Sequence, residues 1–205
     1  MRERQKARSW SSTIFRPGGA ICSVSLGTPM NLLSAIVVYA AICCELGLPL
    51  RFPSPDFVYR SLYQLTSAEL LARASIWAGE SLDARNELFN VTNGDTFRWQ
   101  HMWPHLAKME TAEPVPFPLT VYMADKEPVW DAILKREKLQ PIPYEKMASW
   151  DFGDFVFRQG FDNVSITIKV RQAGFHDCID SEATFAALFE QMRGLKLMLA
   201  NMRAS

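Results

Sequence analysis

Between Thr13 and Pro53 the chain reads T-I-F-R-P-G-G-A-I-C, then M-N-L-L-S-A-I-V-V-Y-A-A-I-C-C-E-L-G, then L-P-L-R-F-P, and no other stretch limits the possible folds as strongly. It predicts a buried strand over residues 10–15, a turn rich in glycine and proline, an almost wholly apolar helix of about four turns, and a second short strand. That order is the pattern of a crossover unit in an α/β sheet, where ligands sit at the strand ends.

The helix start is read at Thr28-Pro29, an N-cap followed by a residue whose missing N–H costs nothing in the first turn, and Gly47 closes it. Only Asn31, Ser34, Tyr39 and Glu45 interrupt the apolar run, which predicts burial around most of the circumference. Leu32 to Cys44 is shorter than the roughly 18 apolar residues that a membrane span requires, so a core helix is expected and no membrane partner.

A chain of 205 residues with 48% hydrophobic content suits one domain with a real core. The expectation is a single domain over residues 1–205, with the crossover unit at 10–53 and a substrate-binding region at 54–205. Lys plus Arg and Asp plus Glu number 22 each, so no global field draws the chain to nucleic acid. Arg2, Arg4, Lys6 and Arg8 form a short basic cluster, read as a solvated N-terminal helix. That charged start is not followed by an apolar run of the signal-peptide kind, which gives a cytoplasmic expectation. Cys22, Cys43, Cys44 and Cys178 lack metal-ligand spacing and read as reduced core thiols.

Further along, Thr66 to Glu69 reads as a capping box opening an amphipathic helix, and residues 87–91 as a short strand. Asn93-Gly94-Asp95 is a turn that delivers Thr96 as the cap of the next helix. The proline-punctuated stretch 109–119 reads as a linker or arm, residues 121–139 as a helix, and Ser149 as the start of the aromatic helix S-W-D-F-G-D-F-V-F. A capped helix is expected over 162–170, and a last one, capped at Asp180, to about Leu199.

Together, R-P-G-G-A-I, G-T-P-M-N-L, Y-A-A-I-C-C-E-L-G-L-P-L-R-F-P, E-L-F-N-V-T-N-G-D-T-F-R-W-Q-H-M-W-P, M-A-D-K-E-P-V-W, S-W-D-F-G-D-F-V-F and A-G-F-H-D-C-I-D resemble one family. It is the progesterone 5β-reductase and iridoid synthase-like branch of the extended short-chain dehydrogenases/reductases. The resemblance runs from about Thr13 to Gln191 and matches only the family's C-terminal half. It implies an α/β fold: the C-terminal part of a Rossmann-type sheet with a mostly helical substrate-binding domain, the N-terminal dinucleotide-binding half being expected to be absent.

The activity implied is that of an NADPH-dependent reductase of enones and related carbonyls, with a small apolar carbonyl compound as partner. In such a reaction hydride reaches the β-carbon while a tyrosine stabilises the enolate. The glycine-rich fingerprint and the catalytic tyrosine and lysine belong to the other half, and no G-x-G-x-x-G occurs here. NADP(H) binding by this chain alone is therefore expected to be weak or absent. A truncated or repurposed non-redox binder, an isomerase or cyclase, and a mis-delimited gene product stand as alternatives.

By the same resemblance, Met30, Asn31, Trp150, Phe152 and Phe155 belong to the substrate pocket, and Pro17 and Gly18 border the cofactor. Asn31 can offer its amide N–H to a carbonyl oxygen, or satisfy backbone groups at its helix end. Trp150, Phe152, Phe155 and Phe157 can wall a flat apolar substrate or fill the core. Tyr122 and Lys126 show the Y-x-x-x-K spacing of a catalytic pair, but in the wrong part of the family's sequence. His101 and His105 stand i, i+4, with Pro104 interrupting the turn and no third metal ligand apparent; His176 reads as a turn residue. An open strand edge near residues 13–15 makes a homodimer a further expectation.

Overall fold

The structure, a computed structural model, describes residues 9–107 and 111–200. In chain order the elements are β1 (Ile14–Pro17), β2 (Ala20–Cys22), α1 (Leu32–Glu45), β3 (Leu50–Arg51), α2 (Asp56–Arg60), β4 (Leu62–Tyr63), β5 (Leu65–Ser67) and α3 (Ala68–Glu80). There follow β6 (Leu88–Val91), β7 (Phe97–Arg98), α4 (Trp99–Ala107), β8 (Thr111–Ala112), α5 (Leu119–Tyr122), α6 (Glu127–Glu137), α7 (Tyr144–Met147), α8 (Trp150–Phe157), α9 (Ile168–Gln172) and α10 (Ser181–Gly194). The class is α/β. The helix expected at the N-terminus lies almost wholly outside the described residues.

Helix α1 is the axis of the core, every residue from Leu32 to Cys43 being buried. Around it pack Phe52, Trp99, Trp103, Trp130 and Phe157. Phe52 meets Trp103 and Phe157 edge-on at 5.2 and 5.3 Å, an arrangement that matches the positive ring edge to the negative ring face. Phe157, a candidate wall residue, is thus committed to the core. Leu70, Ala74, Phe89, Val91, Val170 and Phe175 form a smaller cluster under β1 and β6. No helix among the described residues is long and apolar enough to cross a membrane.

The strands form two-stranded ladders: β1–β6, β2–β5 and β3–β8 run parallel and β4–β7 antiparallel. The crossover unit is thereby corrected, because α1 connects β2 to β3, which pair with different strands. Pro49 and Pro53 flank β3 and supply no N–H with which to lengthen its ladder. The first strand also lies later than expected, at Ile14–Pro17 rather than residues 10–15.

Several ends shift for identifiable reasons. Helix α1 is capped by Asn31, not Thr28: the Asn31 Oδ1 accepts from the amides of Leu33 at 2.9 Å and Ser34 at 3.4 Å. Its far end is the expected one, with Gly47 at φ +64 and the Leu48 amide reaching back to Cys43 O. Ser67, not Thr66, caps α3, since the Thr66 hydroxyl is already committed to the Gly18 carbonyl at 2.8 Å. Thr96 caps nothing, because residues 97–98 pair with β4 before α4 begins. The helix expected over 121–139 breaks into α5 and α6, because Pro128 cannot continue a helix from upstream yet suits the first turn of a new one. Asp162 starts no helix; its carboxylate accepts from the Leu62 amide at 2.8 Å, and α9 forms only at Ile168. The last helix stops at Gly194.

Candidate functional site

β1 runs into Pro17-Gly18-Gly19 and straight on into β2. The turn is pinned on both sides, by the Gly18 amide donating to Val91 O at 2.9 Å and the Thr66 hydroxyl donating to Gly18 O. Gly19 has φ +64, and a Cβ there would lie 1.8 Å from the Gln64 carbonyl oxygen, so glycine alone fits. On the far side, the Ser149 hydroxyl caps α8 by accepting from the Phe152 amide, while the Ser149 amide donates to Pro29 O at 2.9 Å. That bond ties the start of α8 to the residue before Met30.

Between these elements lies a cleft of about 290 Å³. Met30, Phe152 and Phe155 line it together with Gly19, Ile21 and Val156. Phe155 and Met30 are 66% and 67% exposed, so they offer apolar surface that a ligand can cover. The polar members are Tyr63 and Gln159. Burial pushes the Tyr63 phenol far above its ordinary range, so it stays protonated at any physiological pH. Gln159 is held by the Asn163 amide, which donates to its Oε1 at 2.6 Å. The lining holds no carboxylate, lysine or histidine.

The remaining candidates fall elsewhere. Asn31 faces the chain itself: besides capping α1, its Nδ2 donates to Ser23 O at 2.8 Å and to Ser25 Oγ at 3.1 Å. Trp150 is not in the cleft lining, and its ring packs 5.6 Å from Tyr144. Pro17 and Gly18 end β1 immediately before the cleft's Gly19. Tyr122 and Lys126 also lie away from the lining, the ammonium bonded to Asp125 at 2.5 Å and sitting 5.8 Å from the tyrosine ring centroid. His105 pairs with Glu182 at 2.7 Å, and no group of three metal-ligating side chains occurs among the described residues.

Ile21, Tyr63, Val156 and Gln159 were not singled out in the sequence. A signal existed for one of them: Phe152, Phe155 and Val156 follow the i, i+3, i+4 spacing of one face of α8, whereas Gln159 lies just beyond its end at Phe157. Cys22, next to Ile21 but pointing the opposite way from a strand, lines a second hollow of about 320 Å³ between the start of α3 and α10. None of the sequence-derived candidates lies there.

A dinucleotide pyrophosphate needs a glycine-rich turn opening onto a free helix N-terminus. The described residues do not build one. Gly18-Gly19 leads into a strand, and the space a Cβ would take at Gly18 is filled by Ser165 and Thr92 at 2.8 Å. The N-termini of α1, α3, α8 and α10 are occupied by their own caps Asn31, Ser67, Ser149 and Asp180.

No family model matches the sequence. The chain is 34% identical over 201 residues to (S)-8-oxocitronellyl enol synthase of Antirrhinum majus, covering 95% of this chain and 51% of that protein. It is 33% identical over 204 residues to (S)-8-oxocitronellyl enol synthase ISY1 of Nepeta racemosa (96% and 52%) and 30% identical over 217 residues to short chain dehydrogenase gsfE of Penicillium aethiopicum (96% and 57%). The chain thus spans about half the length of the curated relatives it matches. Among solved structures it resembles the terminal R domain of the myxalamid PKS-NRPS pathway, with TM-score 0.56 at 14% identity over 97% of this chain and 47% of that one. It also resembles UDP-N-acetylglucosamine 4-epimerase of Methanobrevibacter ruminantium M1, with TM-score 0.51 at 10% identity over 94% and 48%. Those likenesses establish a Rossmann-type fold.

Proposed function

The chain belongs to the iridoid-synthase-like (8-oxocitronellyl enol synthase) short-chain dehydrogenases/reductases, as a C-terminal half, and from that premise we propose that it forms the substrate-binding half of a reductase acting on small apolar carbonyl compounds of secondary metabolism. One observation carries the reading: Met30, Phe152 and Phe155, far apart in sequence, wall one apolar cleft beside Gly19. Its volume, about 290 Å³, is at the small end of ligand sites, which suits a compact substrate. Apolar walls with one amide and one neutral phenol can hold and orient a carbonyl compound. They offer no carboxylate, lysine or histidine to take up a proton.

NADP(H) is the hydride donor proposed for the whole enzyme, with Pro17 and Gly18 as the residues of this chain that border it. Since the described residues make no cradle for its pyrophosphate, the chain alone binds it weakly or not at all. With no net charge to recruit polyanions, neither nucleic acid nor a membrane is proposed as a partner. The compartment proposed is the cytoplasm.

The test is a tryptophan-fluorescence titration of the chain with citral, an apolar α,β-unsaturated aldehyde, and separately with NADPH. Citral should bind with a Kd of roughly 10 μM to 1 mM, and NADPH should not saturate below millimolar. Micromolar NADPH binding would overturn the reading, as would citral binding insensitive to Phe155→Ala. The cleft's lack of a carboxylate, lysine or histidine favours one second reading, an apolar-ligand binder or shape-driven isomerase. Conversion of a bound enal in the absence of NADPH would select it.

A further inference from the structure

Of the two polar members of the cleft, the Tyr63 side chain is buried, whereas Gln159, just past the end of α8, is half-buried and open to an entering ligand. A primary amide offers opposite chemistry at its two ends, an oxygen that accepts and an NH2 that donates. Which end a ligand meets is decided by what holds the other. The Asn163 Nδ2 donates to Gln159 Oε1 at 2.6 Å, and no described group accepts from Gln159 Nε2.

Asn163 is itself held in place. Its backbone amide donates to Leu62 O at 2.8 Å, and the neighbouring Asp162 carboxylate accepts from the Leu62 amide at 2.8 Å, so the loop grips both backbone groups of that strand residue. Ser165 N donates to Gln64 Oε1 at 2.6 Å. The loop is thus fastened on either side of Tyr63, which shares the cleft, and it passes so close to Phe57 that a Cβ at Gly160 would meet that ring at 2.7 Å. Held in this way, the Asn163 side chain stays within reach of Gln159, and its donor fixes which way that amide turns.

We infer that Asn163 sets the cleft's specificity: by occupying Gln159 Oε1 it leaves Nε2 to meet the ligand, and the cleft thereby selects a carbonyl over a hydroxyl on the same carbon skeleton. A carbonyl oxygen only accepts, so Nε2 satisfies it. A hydroxyl accepts as well, but only by burying its own O–H among apolar walls that carry no carboxylate or histidine to receive it. Asn163 is not among the lining residues, so it acts through Gln159 as a positioning residue. The ligand class rests on the function proposed above; the clamp on Gln159 does not.

The experiment titrates the full chain, by tryptophan fluorescence, with citral and with geraniol and nerol, the alcohols of the same skeleton, in the parent and in Asn163→Asp and Asn163→Ala. The parent should prefer citral about tenfold. Asn163→Asp keeps the shape but can only accept, so it draws Gln159 Nε2 and turns Oε1 to the ligand, and the preference should reverse. Asn163→Ala frees the amide to turn, and the preference should fall to within about twofold. A purely structural role would weaken aldehyde and alcohols together and leave their ratio at the parental value; that result overturns the inference, as does a parent that favours the alcohols or favours neither. NMR of the ligand-free, isotope-labelled chain reads the clamp directly. The Asn163 Nδ2 protons should exchange with water more slowly than those of Gln159 Nε2, and the opposite order overturns the inference whatever binds. Failure of the parent to bind either the aldehyde or the alcohols, with the expected exchange order intact, would refute the cleft's function and its selectivity while the clamp stands.

Discussion

Replacing Asn31 by alanine asks whether its amide serves the fold or a ligand, and the structure gives the size of the effect. The Oδ1 satisfies two first-turn amides of α1, and Nδ2 donates to Ser23 O and Ser25 Oγ. Loss of the cap costs about 1 kcal/mol, and loss of the buried bond to the Ser23 carbonyl about 1 kcal/mol more. Asn31→Ala should therefore lower stability by roughly 2 kcal/mol, which for a chain of this length is a fall in Tm of about 4–8 °C. Asn31→Ser keeps a capping oxygen for the first-turn amides and loses only the bonds made by Nδ2, so it should lose about half as much. Differential scanning calorimetry reads the stability and a citral titration the affinity. If Asn31→Ala melted within about 1 °C of the parent yet no longer bound citral, the capping argument would be refuted and the amide would belong to the ligand.

Two glycines at the same φ of +64 should respond differently. Gly47→Ala meets open space and pays only the left-handed backbone, about 1 kcal/mol, whereas Gly19→Ala drives a Cβ into the Gln64 carbonyl and should yield insoluble or unfolded protein, as judged by circular dichroism. Phe155→Ala removes an exposed ring from the cleft, so it should weaken citral binding about tenfold with Tm nearly unchanged. Burial pushes the Cys22 thiol up to about 12 and the Cys43 thiol up to about 11, from 9.0. Ellman's reagent at pH 8 should therefore label exposed Cys44 and Cys178 and spare the other two until the chain is unfolded. Because only the unfolded chain releases those protons just above pH 9, stability should fall as pH rises, by about 1.4 kcal/mol per thiol at pH 10, and Cys22→Ala should flatten that slope in chemical denaturation.

Much of this protein was written locally. The α1 helix announces itself by an apolar run too short for a membrane and a glycine in position to end it, because burial and left-handed backbone are properties that single residues carry. Ser149 and Asp180 start α8 and α10 for the same reason, each side-chain oxygen serving an amide three residues ahead. The family, too, is legible in the order of the motifs. Tertiary contacts decided the rest. Thr66 and Thr28 read as the caps in the sequence; Ser67 takes the first role because the Thr66 hydroxyl is claimed by the Gly18 carbonyl, and Asn31 the second because its Nδ2, held by the Ser23 carbonyl, leaves Oδ1 aimed at the first-turn amides. Strand pairing depended on partners many residues away, so the expected crossover unit divided between two ladders. The cleft shows the same division: its aromatic face repeats at helical spacing on α8, but Ile21 and Tyr63 join it only because β2 and β4 are folded against that helix, a closeness in space that no spacing along the chain encodes.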